Sequence, residues 1–327
     1  MLKNFLLRQQ ALWHPEQYHG WGKDRNYFEG WYFKLISPDE QTAIAVIPGI
    51  SKPAQGEGHA FIQVLDGIAG KAHYHQFALE AFQPATDRFA LQLGDNFFST
   101  DAVELNLPDL KGKITLHNRH PWPKTLGAPG IMGWYSFVPF MECYHGVLSV
   151  HHSLEGSLEL QGKNINFSNG IGYCEKDWGR SFPSSWVWMQ SNHFDTPDPA
   201  CLMISVARIP WMGSHFVGFI GGWLHEGTLH RFSTYSGAKL KVTLLDHQVR
   251  LNIESKDLTL EILGTPGPGA TLLSPISGQM TGKVNESLQG KLDLKVFRGQ
   301  KLIYEGQGRL SGLELAGDIA GELGNQA

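Results

Sequence analysis

Residues 290–296 read GKLDLKV, so that Leu292, Leu294 and Val296 share one face and Lys291, Asp293 and Lys295 the other. Successive side chains of an extended chain point to opposite faces, so period-two alternation with one apolar face marks a half-buried strand. The pattern recurs in QTAIAVI (41–47), VELNL (103–107), GSLEL (156–160) and KLKVTLL (239–245). Frequent glycine, 38 residues in all, supplies the turns between such strands. No window holds a helical period over three turns, and a short helix is expected only near Phe5–Trp13. The sequence therefore predicts an all-β protein of antiparallel strands arranged in barrels or sandwiches.

The chain has 327 residues, with 42% apolar and 18% charged residues, enough for a sizeable core in two moderate domains or one large β domain. A net charge of −4 provides no basic stripe for a phosphate backbone and argues against nucleic acid as a partner. Cys143, Cys174 and Cys201 are odd in number and form no CxxC pair, which argues against a disulfide framework or a thiolate metal site. Residues 1–17 (MLKNFLLRQQALWHPEQ) lack the long apolar region and the cleavage site of a secretory signal. No stretch approaches the ~18 apolar residues of a membrane span. The expectation is a cytoplasmic protein, with peripheral membrane contact left open and no signature of a particular oligomeric state.

An internal repeat sharpens the fold. FIQVLDG begins at Phe61 and FVGFIGG at Phe216, an offset of 155 residues (216 − 61). The same offset pairs Trp31 with Trp186, Phe33 with Trp188, His75 with His230 and Phe77 with Phe232. It also pairs Val103, Leu105 and Leu107 with Leu258, Leu260 and Ile262. These landmarks predict a duplicated β unit, divided as 1–170 and 171–327; the competing reading is two unrelated β domains of similar alternation.

Charge and indole concentrate in GYCEKDWGRSFPSSWVWMQSNHF, residues 172–194. In an extended strand Glu175 and Asp177 share a face and Lys176 takes the other. Two neighbouring carboxylates repel, which favours keeping a proton on one of them and makes it a proton donor. The plain alternative is a solvated loop. Trp186, Trp188, Gln190 and Asn192 form a single face, aromatic first and amide after. That suits a ligand-lined interior or a strand passing from core to rim, since a buried amide needs a partner. In NYFEGWYFKL (26–35), Glu29 lies among aromatic residues that include Trp31 and Phe33, and a buried charge there must be paired or functional. Asp24, Arg25 and Lys34 are its local candidates. Glu142, His145, His151 and His152 do not share a strand face in a way that chelates, so no metal is expected. No GxSxG elbow, P-loop or helix-opening GxGxxG is present.

NYFEGWYFKL and GYCEKDWGRSFPSSWVWMQSN together, with SGLELAG at 311–317, resemble the tocopherol cyclase family in its bacterial branch. The resemblance spans most of the chain. It implies two lipocalin-like halves, in agreement with the repeat, and a distant similarity to carotenoid hydratases. It further implies a cofactor-independent cyclase acting on a hydrophobic small molecule, a prenyl hydroquinone or similar isoprenoid. An alkene is protonated and the phenol oxygen then closes a chromanol ring. Carried onto this sequence, the catalytic candidates are Glu175, Asp177, Glu29 and Lys176. The substrate-binding candidates are Trp31, Phe33, Trp178, Trp186, Trp188, Gln190 and Asn192. Plant-type members carry an amide where Asp177 stands, which shifts the expected acid toward Glu175 or Glu29. The competing readings are a non-catalytic lipocalin-like binder and a structural β protein whose tryptophans are core.

Overall fold

The computed structural model describes residues 2–196 and 199–324. One α-helix, α1 (Leu2–Ala11), precedes the strands, where a short helix was expected. The strands that follow are antiparallel and form two sheets, joined by loops and short helical turns.

The first sheet begins with β1 (Tyr27–Ile36), β2 (Ala43–Lys52), β3 (His59–Asp66) and β4 (Lys71–Phe77). A meander follows through β5 (Phe82–Pro84), β6 (Ala90–Leu93), β7 (Asn96–Ser99), β8 (Ala102–Asn106) and β9 (Leu110–His117). It ends with β10 (Cys143–Leu160), β11 (Lys163–Asn166) and β12 (Ile171–Gly179). The hydrogen-bonded order is β4-β3-β2-β1-β12-β10-β9-β8-β7-β6-β5, with β11 on β10. The second sheet has β13 (Trp186–Ser191), β14 (Ala200–Trp211), β15 (Ser214–His225), β16 (Thr228–Ser233), β17 (Lys239–Leu245) and β18 (Gln248–Glu254). It is completed by β19 (Thr259–Thr265), β20 (Gly269–Ile276), β21 (Gln279–Arg298) and β22 (Lys301–Ala316). Its order is β16-β15-β14-β13-β22-β21-β19-β18-β17, with β20 on β21.

The two orders share one plan. Four consecutive strands form a wing, and the first of them then pairs with the last strand of the half, β12 or β22. Trp31 and Trp186 fall in the equivalent strands β1 and β13, Phe61 and Phe216 in β3 and β15, and His75 and His230 in β4 and β16. The third landmark slips. Val103 and Leu105 lie in β8, but Leu258 to Ile262 lead into and occupy β19, whose counterpart by sheet order is β9. The meanders differ in strand number, so a constant sequence offset cannot survive through them.

The chain divides into two compact units, one of 1–182 with 272–283 and one of 183–271 with 284–327. Residues 171–179, counted with the second half from sequence, form β12, which is bonded to β1 on one side and β10 on the other within the first sheet. The first core gathers Trp31, Phe33 and Leu35 from β1 with residues of β2, β3 and the meander; the second gathers Val187 and Met189 from β13 with its neighbours. The stretch GKLDLKV lies in β21, and its Leu292, Leu294 and Val296 enter that second core as the alternation requires. The three cysteines are free.

Candidate functional site

β12 is a central strand, hydrogen-bonded on both edges, and each of its faces carries a polar cluster. Period-two alternation sends Cys174, Lys176 and Trp178 to one side and Tyr173, Glu175 and Asp177 to the other.

On the first face Lys176 sits at zero exposure. Register pairs it with Trp31, and its neighbour Trp178 with Glu29. The ammonium forms an ion pair with Glu29, which is equally buried. It also donates to the carbonyls of Pro15, at 3.1 Å, and Gln17 and approaches Nδ1 of His19 at 2.7 Å. Nζ lies 4.7 Å from the ring centroids of both Trp31 and Trp178, an arrangement in which two indole faces offset part of the desolvation of a cation. Glu29 accepts further hydrogen bonds from the Tyr27 hydroxyl and from the backbone N–H of His19. Burial alone would raise its pKa, but Lys176 and the His19 contacts outweigh that and hold it at about 2. Burial lowers Lys176, and Glu29 restores only part of the loss, to about 8. His19 is held near 4 by burial and by the Lys176 charge, so it is neutral. Its Nε2 faces the Ala11 carbonyl at 2.9 Å, which sets Nδ1 as the acceptor for Lys176. The partner of Glu29 is thus a cross-strand lysine. Arg25 is exposed, and Lys34 falls on the opposite face of β1 from Glu29.

The indoles here have covered faces. Trp31 lies between Lys176 and the stacked ring of Phe89, at 5.1 Å, and its Nε1 donates to the Glu16 carbonyl. Phe33 stands between Phe89 and Phe98 in the core. Trp178 is stacked between His19, at 4.2 Å, and Tyr144, at 5.5 Å.

The other face of β12 brings Glu175 and Asp177 together on His145 of β10. Asp177 is the register partner of His145, and its Oδ1 lies 2.9 Å from Nδ1. Nε2 lies 3.3 Å from Oε2 of Glu175, outside good hydrogen-bond alignment. The Tyr173 hydroxyl donates to that same oxygen at 2.5 Å. Burial would depress the His145 pKa, but the charges of Asp177 and Glu175 prevail and raise it to about 10. An imidazolium therefore sits between the two carboxylates and relieves the repulsion that their sequence spacing implies. These three are also the only group among the described residues whose ligand atoms converge, within 4.8 Å of one another, as a metal would need. A metal on Nε2 and Glu175 would have to displace the imidazolium proton, with Asp177 engaged on the opposite ring nitrogen.

The remaining candidates lie in the second unit, on β13 and just beyond it. Trp186 donates from Nε1 to Glu314 at 2.6 Å. Trp188 and Gln190 are buried, and Gly312, the register partner of Gln190, leaves space that the Trp188 ring fills, since a Cβ there would come within 2.5 Å of the indole. Asn192 faces Nδ1 of His193 at 3.2 Å. The predicted residues thus form three groups: Glu29, Trp31, Lys176 and Trp178, with Phe33 behind them; Glu175 and Asp177; and Trp186 to Asn192 in the other unit.

Sequence reasoning did not place His145, Tyr173, His19 or Tyr144 in a site. Tyr173 was legible in principle, two residues before Glu175 and on its face. The other three depend on register and on a segment before β1, which local spacing does not encode.

Residues 109–317 match the family profile described as tocopherol cyclase-like. A protein of Oryza sativa subsp. japonica named "Probable tocopherol cyclase, chloroplastic" is 22% identical, over 95% of this chain and 80% of its own length. Among solved structures, CghA superposes with a TM-score of 0.56 at 10% identity, covering 89% of each chain. An AttH protein of Nitrosomonas europaea gives 0.51 at 17% identity, covering 89% of this chain and 92% of its own. At those identities the two structures speak for the fold alone. With the match covering well over half of its length, and with the motif residues Glu175, Lys176 and Trp178 packed into one central strand, the chain belongs to the tocopherol cyclase-like family.

Proposed function

We propose that the protein is a cofactor-independent cyclase that closes a chromanol ring on a prenylated hydroquinone or a related isoprenoid. The observation that carries this reading is the buried chain Tyr173–Glu175–His145–Asp177 on one face of β12. Glu175 is the proposed acid. The Nε2 proton of the His145 imidazolium passes by way of the Glu175 carboxylate to one alkene carbon, the positive charge develops on the adjacent tertiary carbon, and the phenol oxygen bonds to that carbon. The phenol proton then returns by way of Glu175 to His145, so the reaction is an isomerisation with no redox balance to close. Asp177 holds the Nδ1–H of His145 so that Nε2 faces Glu175. Lys176 and Glu29 serve as a frame that ties Pro15–His19 to β12, and Trp31, Phe33 and Trp178 shape that frame rather than contact substrate. Trp186, Trp188, Gln190 and Asn192 lie in the other unit and are given no part in this step.

A second reading, a non-catalytic binder of a hydrophobic small molecule, is favoured by one feature: Glu29 is fully ion-paired, and His145 stands as a cation between the other two carboxylates. Purified protein should be offered a phytylated hydroquinone, with Glu175→Gln, His145→Gln and Glu29→Gln in parallel. The proposal expects chromanol from the wild type and none from Glu175→Gln, with folding retained by circular dichroism. Tight binding of the quinol by every variant, with no chromanol from any, would move the assignment to the binder.

A further inference from the structure

The first unit carries an apolar surface that its core does not use. Along α1, Leu2, Phe5 and Leu6 follow i, i+3, i+4 spacing and so share a face, yet that face points to solvent. Two residues beyond the end of α1 stands Trp13, whose ring lies 5.4 Å from that of Phe137. The segment holding Phe137 adds Trp134 and Phe140. These seven side chains are between 38% and 73% exposed. Isolated exposed apolar residues are ordinary, but a contiguous aromatic group marks a contact surface.

Charge decides what the surface fits. Residues 2–15 contain Lys3 and Arg8, and residues 118–141 contain Arg119 and Lys124; neither segment has a single Asp or Glu. Lys124 is bonded to Glu16 at 2.8 Å and Arg119 to Asp101 at 2.9 Å, so the sign of the surface is set by Lys3 and Arg8 of α1. Bulky apolar side chains on a helix whose charged residues are both cations match the boundary between the anionic headgroups and the acyl chains of a bilayer. The same two segments reach the site: Pro15 receives a hydrogen bond from Lys176, Val138 from the Tyr144 hydroxyl, and Met132 Sδ from the backbone N–H of His145.

We propose that this surface, formed by α1, Trp13 and residues 134–140, docks the protein on an anionic lipid bilayer, next to the site that would draw a lipid substrate from it. The inference extends the cyclase reading, but its test needs no turnover, so the two can fail separately. The full chain should be sedimented with phosphatidylcholine vesicles with and without phosphatidylglycerol. Binding to the anionic vesicles, weakened by salt, is expected. Lys3→Glu should reduce it by roughly fivefold or more, from the ~1 kcal/mol that one cation contributes near such a surface. Phe137→Ser with Phe140→Ser, and separately Phe5→Ser with Leu6→Ser, should each reduce it by about tenfold or more. Thermal melts matching the wild type would show that the variants are folded. Absence of binding to either vesicle, or equal binding by all variants, would overturn the proposal. So would a dimer in light scattering that the serine variants dissolve, because a second copy of the chain would then cover the surface.

Discussion

Lys176→Met should be among the most destabilising substitutions in the first unit. The lysine has no solvent exposure and neither has Glu29. Methionine keeps much of the stem volume but strips Glu29 of its lysine counter-charge, leaving the Tyr27 hydroxyl, the His19 N–H and the His19 ring at 3.6 Å. The carbonyls of Pro15 and Gln17 and Nδ1 of His19 would lose their donor as well. Breaking one side of a buried ion pair costs about 3–5 kcal/mol, most of it the penalty of an uncompensated charge. Against a typical total of roughly 5–15 kcal/mol that is a large share. For a unit of this size each kcal/mol moves the midpoint by about 2–4 °C, so a drop on the order of 6–20 °C is expected. Glu29→Gln alone should cost a comparable amount. The double variant should recover roughly 2 kcal/mol or more of the summed cost, because no lone charge remains. Urea titrations of the four proteins at neutral pH measure this directly. A loss below about 1 kcal/mol for Lys176→Met, or strict additivity in the double variant, would refute the argument that the pair is a desolvated unit.

Three further outcomes follow from other parts of the structure. His145 is raised to about 10 from an ordinary value of about 6.5, so its stabilisation is complete below the unfolded value and lost as pH rises toward 10. His145→Gln should flatten the alkaline fall in urea midpoint, and an unchanged slope would argue against the imidazolium. His19, His151 and His152 are depressed by burial to about 4, 4 and 3, so below about pH 6.5 the unfolded chain takes up protons first. Stability should therefore fall as the solution is acidified from about 6.5 toward 4, and a flat profile there would show those rings to be accessible. Gly172→Ala should cost about 1–3 kcal/mol, since its Cβ would come within 2.2 Å of Nε2 of the buried His152 ring; a neutral substitution would mean that the ring can move.

Much of the fold was legible in local pattern. Alternation such as GKLDLKV depends only on which face of a strand meets the core, and the repeat of Trp31 and Trp186 reflects two halves built on one plan. Alternation also placed Glu175 and Asp177 together and Lys176 opposite, because the pleat leaves no other choice. Part of the motif that carries the family resemblance, Glu175 to Trp178, lies on β12. It could not say what each face of that strand meets.

That was decided by pairing between distant segments. Only the register of β1 on β12 brings Glu29 to Lys176, and only that of β10 on β12 brings His145 between two carboxylates. His19 joins the first cluster by way of the turn segment ahead of β1, to which no periodicity applies. Local sequence determines which side of its own strand a residue faces. The neighbour it finds there is set by cross-strand register and by burial, and burial is what turns Glu29 and Lys176 into a desolvated pair and His145 into a cation.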